Sequence, residues 1–247
     1  MTPVARFFLL IVCWASGAVF GLQAQNDVSS PDHSAWEVLL RRHVRPNGTV
    51  DYRGFAGDRA GLEAYIEGLS ALDPDSGWAQ NRRLAYFINL YNALTVKLIL
   101  DNYPLKSIRD LPNPWARELV TLGQRSYSLD DIEHKVLRPL GEARIHFAIN
   151  CASRSCPALQ PWAFTEAGLE AQLEAATRAF INDPALNQIG PRTATLSRLF
   201  KWYREDFEKA SGSLPAFLNA YLDPPLEPDC QIRFLPYDWA LNQTPEP

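Results

Sequence analysis

Residues 82–100 read R-R-L-A-Y-F-I-N-L-Y-N-A-L-T-V-K-L-I-L, a run unbroken by glycine or proline and apolar on almost every side. Such a segment is a helix buried at the centre of a core, because a surface helix would alternate apolar and polar faces. The pattern predicts this helix over about 81–102, ending at Pro104. Asn89 and Asn92 interrupt it three positions apart, on one side. A buried amide left without partners costs about 1–3 kcal/mol. The two asparagines therefore either tie neighbouring loops to the helix or orient a catalytic or ligand-binding group.

Shorter elements surround this run. Trp36, Leu39, Leu40 and Val44 share one helical face, and Leu62, Tyr65, Ile66 and Leu69 share another. Residues 118–127 read as a hairpin turning at Gly123-Gln124, and Ser128 caps a helix L-D-D-I-E-H-K-V-L-R with acids in its first turn. Helices are expected at 165–182, 197–209 and 214–221, a short two-stranded element at 187–196 and a last strand at 231–235. Together they predict an α+β fold: a single mixed domain over 34–242, helix-rich around one buried central helix, with a small, mainly antiparallel sheet.

The 247 residues suffice for a sizeable core, and 47% hydrophobic against 21% charged residues is a globular balance. A net charge of -4 with both signs interspersed offers no clustered basic face for nucleic acid. The N-terminus is a weakly basic start followed by the apolar run Phe7–Leu22 and a small residue, Ala24, before polar Gln25-Asn26-Asp27. This reads as a secretory signal peptide over 1–24, the alternative being an uncleaved anchor from a slightly short run. Once it is cleaved near Ala24, the chain is expected to be periplasmic or secreted, without stable membrane insertion. Cys151, Cys156 and Cys230 then remain in an oxidising compartment.

Chemistry concentrates in Arg144–Pro157, R-I-H-F-A-I-N-C-A-S-R-S-C-P. Read as a strand turning into a loop, its alternation puts Ile145, Phe147, Ile149 and Cys151 on a core face, with His146 and Asn150 together on the other. An imidazole oriented by an amide suits the base of a thiol hydrolase. Three arrangements of the cysteines are open: a Cys151–Cys156 bridge, a longer bridge from either to Cys230, or a free nucleophilic thiol. Pro157 after Cys156 fits a loop-to-helix junction. Cys-x4-Cys is wide for a zinc finger and Glu133-His134 lacks a second histidine four residues on, so no metal or other cofactor is expected.

I-N-L-Y-N-A at 88–93, L-D-D-I-E-H-K-V-L-R at 129–138, H-F-A-I-N-C-A-S-R-S-C-P at 146–157 and L-P-Y-D-W-A-L-N at 235–242 occur in that order. With W-E-V-L-L and V-D-Y near the start, they resemble the bacterial and plant family called domain of unknown function 547, over roughly residues 34–242. The resemblance marks Asn89, Asn92, Glu133, His134, Arg138, His146, Cys151, Cys156, Tyr237 and Trp239, and Cys230 falls outside its motifs. Two expectations follow. In the first, Cys156 or Cys151 attacks an acyl carbon, His146 or His134 acts as base, and Asn150, Glu133 or a helix asparagine orients it. Asn89, Asn92, Arg138, Tyr237 and Trp239 would then bind a small-molecule or peptide-like substrate. In the second, a Cys151–Cys156 disulfide clips a non-catalytic binding or interaction protein.

Overall fold

The computed structural model describes residues 31–72, 74 and 77–245; the signal peptide expected at 1–24 lies outside them. Helices α1 (Ser34–His43), α2 (Tyr52–Gly57) and α3 (Arg59–Ser70) lead into the central helix α4 (Gln80–Leu100) and pack around it. Every residue of α4 from Leu84 to Val96 is buried, as its all-round apolar sequence requires. Trp36 of α1 stacks on Tyr65 of α3 with ring centroids 5.7 Å apart.

The hairpin forms as expected, β1 (Val120–Leu122) pairing antiparallel with β2 (Arg125–Tyr127) through Gly123 at φ +60°. Ser128 caps the next segment reciprocally. Its Oγ accepts the Asp131 N–H at 3.1 Å, and the Asp131 carboxylate accepts the Ser128 N–H at 3.0 Å. The helix it starts is a π-helix, Asp131–Leu137, rather than an α-helix. Its wider turn is a form that recurs at functional sites.

The strand expected from Arg144 onward is not there. Ala143–Phe147 is a 3₁₀ turn whose start is held by the Glu142 side chain, which accepts the Arg144 N–H at 3.0 Å. Residues 145–150 are all buried, so the division into a core face and a polar face fails. The physical reason is the position of the segment between two cores. Ile145 belongs to the cluster around α4, whereas Phe147 packs with Phe180, Phe200, Phe207 and Phe217 in a second cluster.

That second cluster is built from α5 (Leu169–Ile181), α6 (Leu199–Trp202), α7 (Arg204–Ser211) and α8 (Leu214–Asn219) against a three-stranded sheet. In it β3 (Gln188–Ile189) and β4 (Thr193–Leu196) pair antiparallel, and β5 (Gln231–Phe234) adds parallel to β4. Among the described residues the fold is α+β, with two small sheets and one parallel strand pair among them. No helix among the described residues is long and apolar enough to cross a membrane.

Candidate functional site

The loop after the 3₁₀ turn is held on three sides. From beneath, the Asn92 side chain donates to the Ala148 carbonyl at 2.9 Å and accepts the Asn150 N–H at 2.8 Å. Asn89 does the same one turn earlier for Phe164, donating at 2.7 Å and accepting at 3.0 Å. Both asparagines therefore tie loops to α4, and neither lines the cavity described below. From one side, the C-terminal segment pairs along the loop through Ser153 and Leu241, with Arg154 N–H donating to Ala240 O at 2.9 Å. From the other, Gly48 at φ +77° lies so close to Ala158 that a Cβ would sit 2.3 Å from the alanine methyl, so only glycine fits there.

Within the loop, Asn150 is a structural hub. Its Nδ2 donates to Pro157 O at 2.7 Å, while its Oδ1 accepts Ala152 N–H at 2.9 Å and Asn242 Nδ2 at 3.3 Å. Tyr52 of the V-D-Y motif completes the chain by donating to Asn242 Oδ1 at 2.8 Å. Asn150 thus braces the loop and does not orient His146, as the strand reading had it. The turn it stabilises places Ala152 at φ +57°, a conformation that costs a non-glycine residue about 1–2 kcal/mol. This turn brings Cys151 and Cys156 face to face.

Both cysteines are thiols, with sulfurs 2.8 Å apart; the expected disulfide is not formed, and Cys230 is also free. Cys156 is buried, and its Sγ accepts the Cys151 N–H at 2.9 Å. Cys151 is half-buried, with Ser153 Oγ at 3.2 Å and Tyr237 OH at 3.3 Å from its sulfur. The contact with Cys156 is the strongest influence on the Cys151 thiol and lowers its pKa. Burial opposes this, and Ser153 and Tyr237 lower it further. Burial pushes the Cys156 thiol well up. Among the described residues no helix begins at Pro157, so Cys156 lacks the helix N-terminus expected for it.

His146 is 1% exposed and stacks on Tyr203 with centroids 3.8 Å apart. Its Nε2 donates to Asp206 Oδ2 at 2.7 Å, and among the described residues its Nδ1 has no hydrogen-bond partner. Burial lowers the His146 pKa, and the hydrogen bond to Asp206 partly opposes it. Asp206 also accepts from Arg138 at 2.7 and 2.9 Å in a two-point pair. Burial works against its ionisation, but His146 and Arg138 outweigh it and hold the carboxyl well below the usual carboxylate range. Arg138, expected to bind substrate, is engaged here instead. Its Nη1 also donates to Nδ1 of the exposed His134 at 3.3 Å.

These groups border one cavity of about 290 Å³, lined by Cys151, Cys156, His146, His134, Glu133, Tyr237 and Trp239 among others. Glu133, on the π-helix, is buried, and its Oε2 accepts from Tyr91 OH at 3.4 Å. Rings from distant segments close the wall: Tyr91 from α4, Trp115 from the segment between α4 and β1, Trp202 and Tyr203 from α6 and its end. Asp206, Tyr203 and the two tryptophans are the residues that sequence reasoning missed. In the run S-R-L-F-K-W-Y-R-E-D-F-E-K, Asp206 resembles any exposed acid on a charged helix. The available signal was its spacing, three after Tyr203 and next to Phe207, which puts it at the edge of the buried face.

The matched family model covers α4, the π-helix, the cysteine loop and α5; Asp206, Tyr237 and Trp239 lie beyond it. No curated protein and no solved structure matches the chain. Residues 76–181 match the family described as Protein of unknown function, DUF547.

Proposed function

We propose that the chain is an exported thiol hydrolase or acyltransferase acting on a small-molecule or peptide-like acyl compound. One observation carries this reading. Cys151, the thiol of lowered pKa, opens onto the same cavity as an imidazole whose Nε2 is held by Asp206 while Nδ1 is unengaged. A nucleophile, a base and an orienting carboxylate are the parts that acyl transfer requires. In the proposed reaction Cys151 Sγ bonds to the acyl carbon while His146 Nδ1 takes the thiol proton. The bond to the leaving amine, alcohol or thiol then breaks, and His146 returns the proton to that group. Water, or a second nucleophile, then attacks the thioester carbon and gives its proton to the same nitrogen; the carbon–sulfur bond breaks, and His146 passes that proton to the departing Cys151 Sγ. Asp206 is a positioning residue in this scheme, and Glu133 faces the substrate.

The sulfur separation of 2.8 Å supports a second reading. Exchange with a small-molecule disulfide would close a Cys151–Cys156 bridge: each thiol loses a proton and an electron, and the disulfide becomes two thiols. The chain would then be a non-catalytic binding module. Mass-mapped alkylation of the native, exported protein with iodoacetamide separates the two. On the first reading Cys151 is alkylated below pH 7, ahead of Cys156 and Cys230, and His146→Ala abolishes acyl transfer while thermal melting stays cooperative. Cys151→Ala also abolishes hydrolysis of whichever ester or thioester in a chromogenic panel the protein accepts. A quantitatively bridged pair, with no activity recovered on reduction, overturns the enzyme reading.

A further inference from the structure

The cavity has a charge and hydrogen-bonding character of its own. Its lining includes the carboxylates of Asp130 and Glu133 and no lysine or arginine. Arg138, which sits behind His146, is neutralised by its two-point pair with Asp206. Glu133 is only 6% exposed; the Tyr203 hydroxyl lies against its carboxylate, but among the described residues Oε1 makes no hydrogen bond within 3.5 Å. A buried acceptor left in that state is destabilising, the more so when charged, unless a ligand supplies the donor. His146 Nδ1, with its Nε2 donating to Asp206, is a second unengaged acceptor in the same wall.

The rest of the wall is aromatic. Trp202, Tyr237 and Trp239 pack on one another with centroids 4.4 to 5.9 Å apart, and Trp115 meets Trp239 at 5.6 Å. Ring faces carry negative potential and attract cations, and Arg109 already lies over Trp239 with its Cζ 5.3 Å from the ring centroid. A space lined by two unengaged acceptors and by aromatic rings complements one kind of group: a compact cation that carries N–H donors. We infer that the cavity selects a substrate bearing a primary ammonium or similar N–H cation, with Glu133 Oε1 as its principal partner and Trp115, Trp202 and Trp239 forming the walls. This rests on the Cys151–His146 reading for the word substrate; the cation selectivity itself stands on Glu133 and the rings.

The test uses Cys151→Ala, so that acyl chemistry plays no part, and follows tryptophan fluorescence on titration with benzylammonium and with its neutral near-isostere benzyl alcohol. Benzylammonium is expected to bind at least about tenfold tighter, which corresponds to about 1.4 kcal/mol. Glu133→Gln in the same background is expected to remove that preference while leaving benzyl alcohol unchanged. If Glu133→Gln does not fold, the unmodified protein supplies the second measurement: benzylammonium, but not benzyl alcohol, slows iodoacetamide alkylation of Cys151. Equal affinity for the two probes, or a preference that survives in Glu133→Gln, overturns the inference. A retained preference for the cation in a protein whose thiol proves inert removes the enzyme reading alone.

Discussion

At the scale of single residues, the two thiols show how one short loop can make chemically different cysteines. Cys156 lies deeper, so removal from water dominates and keeps its proton on. Cys151 has the same element but is only half-buried, and the Cys156 sulfur and two hydroxyls surround its own sulfur. Contacts of this kind stabilise the charged form and outweigh burial. The sequence reading put Cys156 first as nucleophile because Pro157 suggested a helix start behind it; without that helix, the electrostatics favour Cys151. Since the contact with Cys156 is the largest influence, Cys156→Ala should move the midpoint of Cys151 alkylation to higher pH. The direction follows from the thiolate losing a stabilising neighbour. Cys156→Ser, which keeps a donor in place, should restore most of the shift. Iodoacetamide labelling followed by peptide mass analysis from pH 5 to 9 measures both, and an unmoved midpoint in the alanine variant would contradict this account.

At the scale of elements, α4 works as a backboard for the loop that carries the thiols. Asn92 satisfies a carbonyl and an N–H of that loop at once. Asn92→Ala would leave Ala148 O and Asn150 N–H buried without partners, at about 1–3 kcal/mol each. The expected loss is roughly 2–6 kcal/mol of unfolding free energy, read as a lower urea midpoint. Cys151 and Cys156 should also become more alike in alkylation rate as the loop loosens. The helix and its two asparagines were legible in the sequence because a long apolar run has one solution and a buried amide needs partners. The 3₁₀ turn at 143–147 was not, because a short run buried on all sides carries no period. In I-H-F-A-I-N, alternation of residue type does not report alternation of environment, since Ile145 and Phe147 enter different cores.

At the scale of the whole molecule, the site is an assembly from segments far apart in sequence, and this sets what could be read in advance. The cysteines, His146 and Glu133 announce themselves by chemical type. Asp206, 60 residues beyond His146, becomes visible only when the second aromatic cluster folds α7 against the 3₁₀ turn. Burial of neutral histidines is a second consequence of that compactness, and it sets the pH response of folding. His33, whose Nδ1 lies 2.7 Å from Tyr65 OH, is buried at the start of α1, and desolvation lowers its pKa to about 4 from 6.5. Below pH 6.5 the unfolded chain binds the proton that the folded chain refuses, so stability falls with pH until the folded value is reached. At about 1.4 kcal/mol per pH unit, His33 alone accounts for a loss of roughly 3 kcal/mol between pH 6.5 and 4. His146, lowered by burial too, adds a loss of the same sign. Asp206 contributes stability that is fully present well above its unfolded value near 3.8 and is lost as pH falls through it, so it leaves the decline from pH 7.5 to 5 untouched. Urea denaturation at pH 7.5, 6, 5 and 4 should therefore give midpoints that decline steadily, and His33→Gln should flatten the decline by removing the group that titrates. An equally steep decline in His33→Gln would assign the acid sensitivity to other groups and remove His33 as its source.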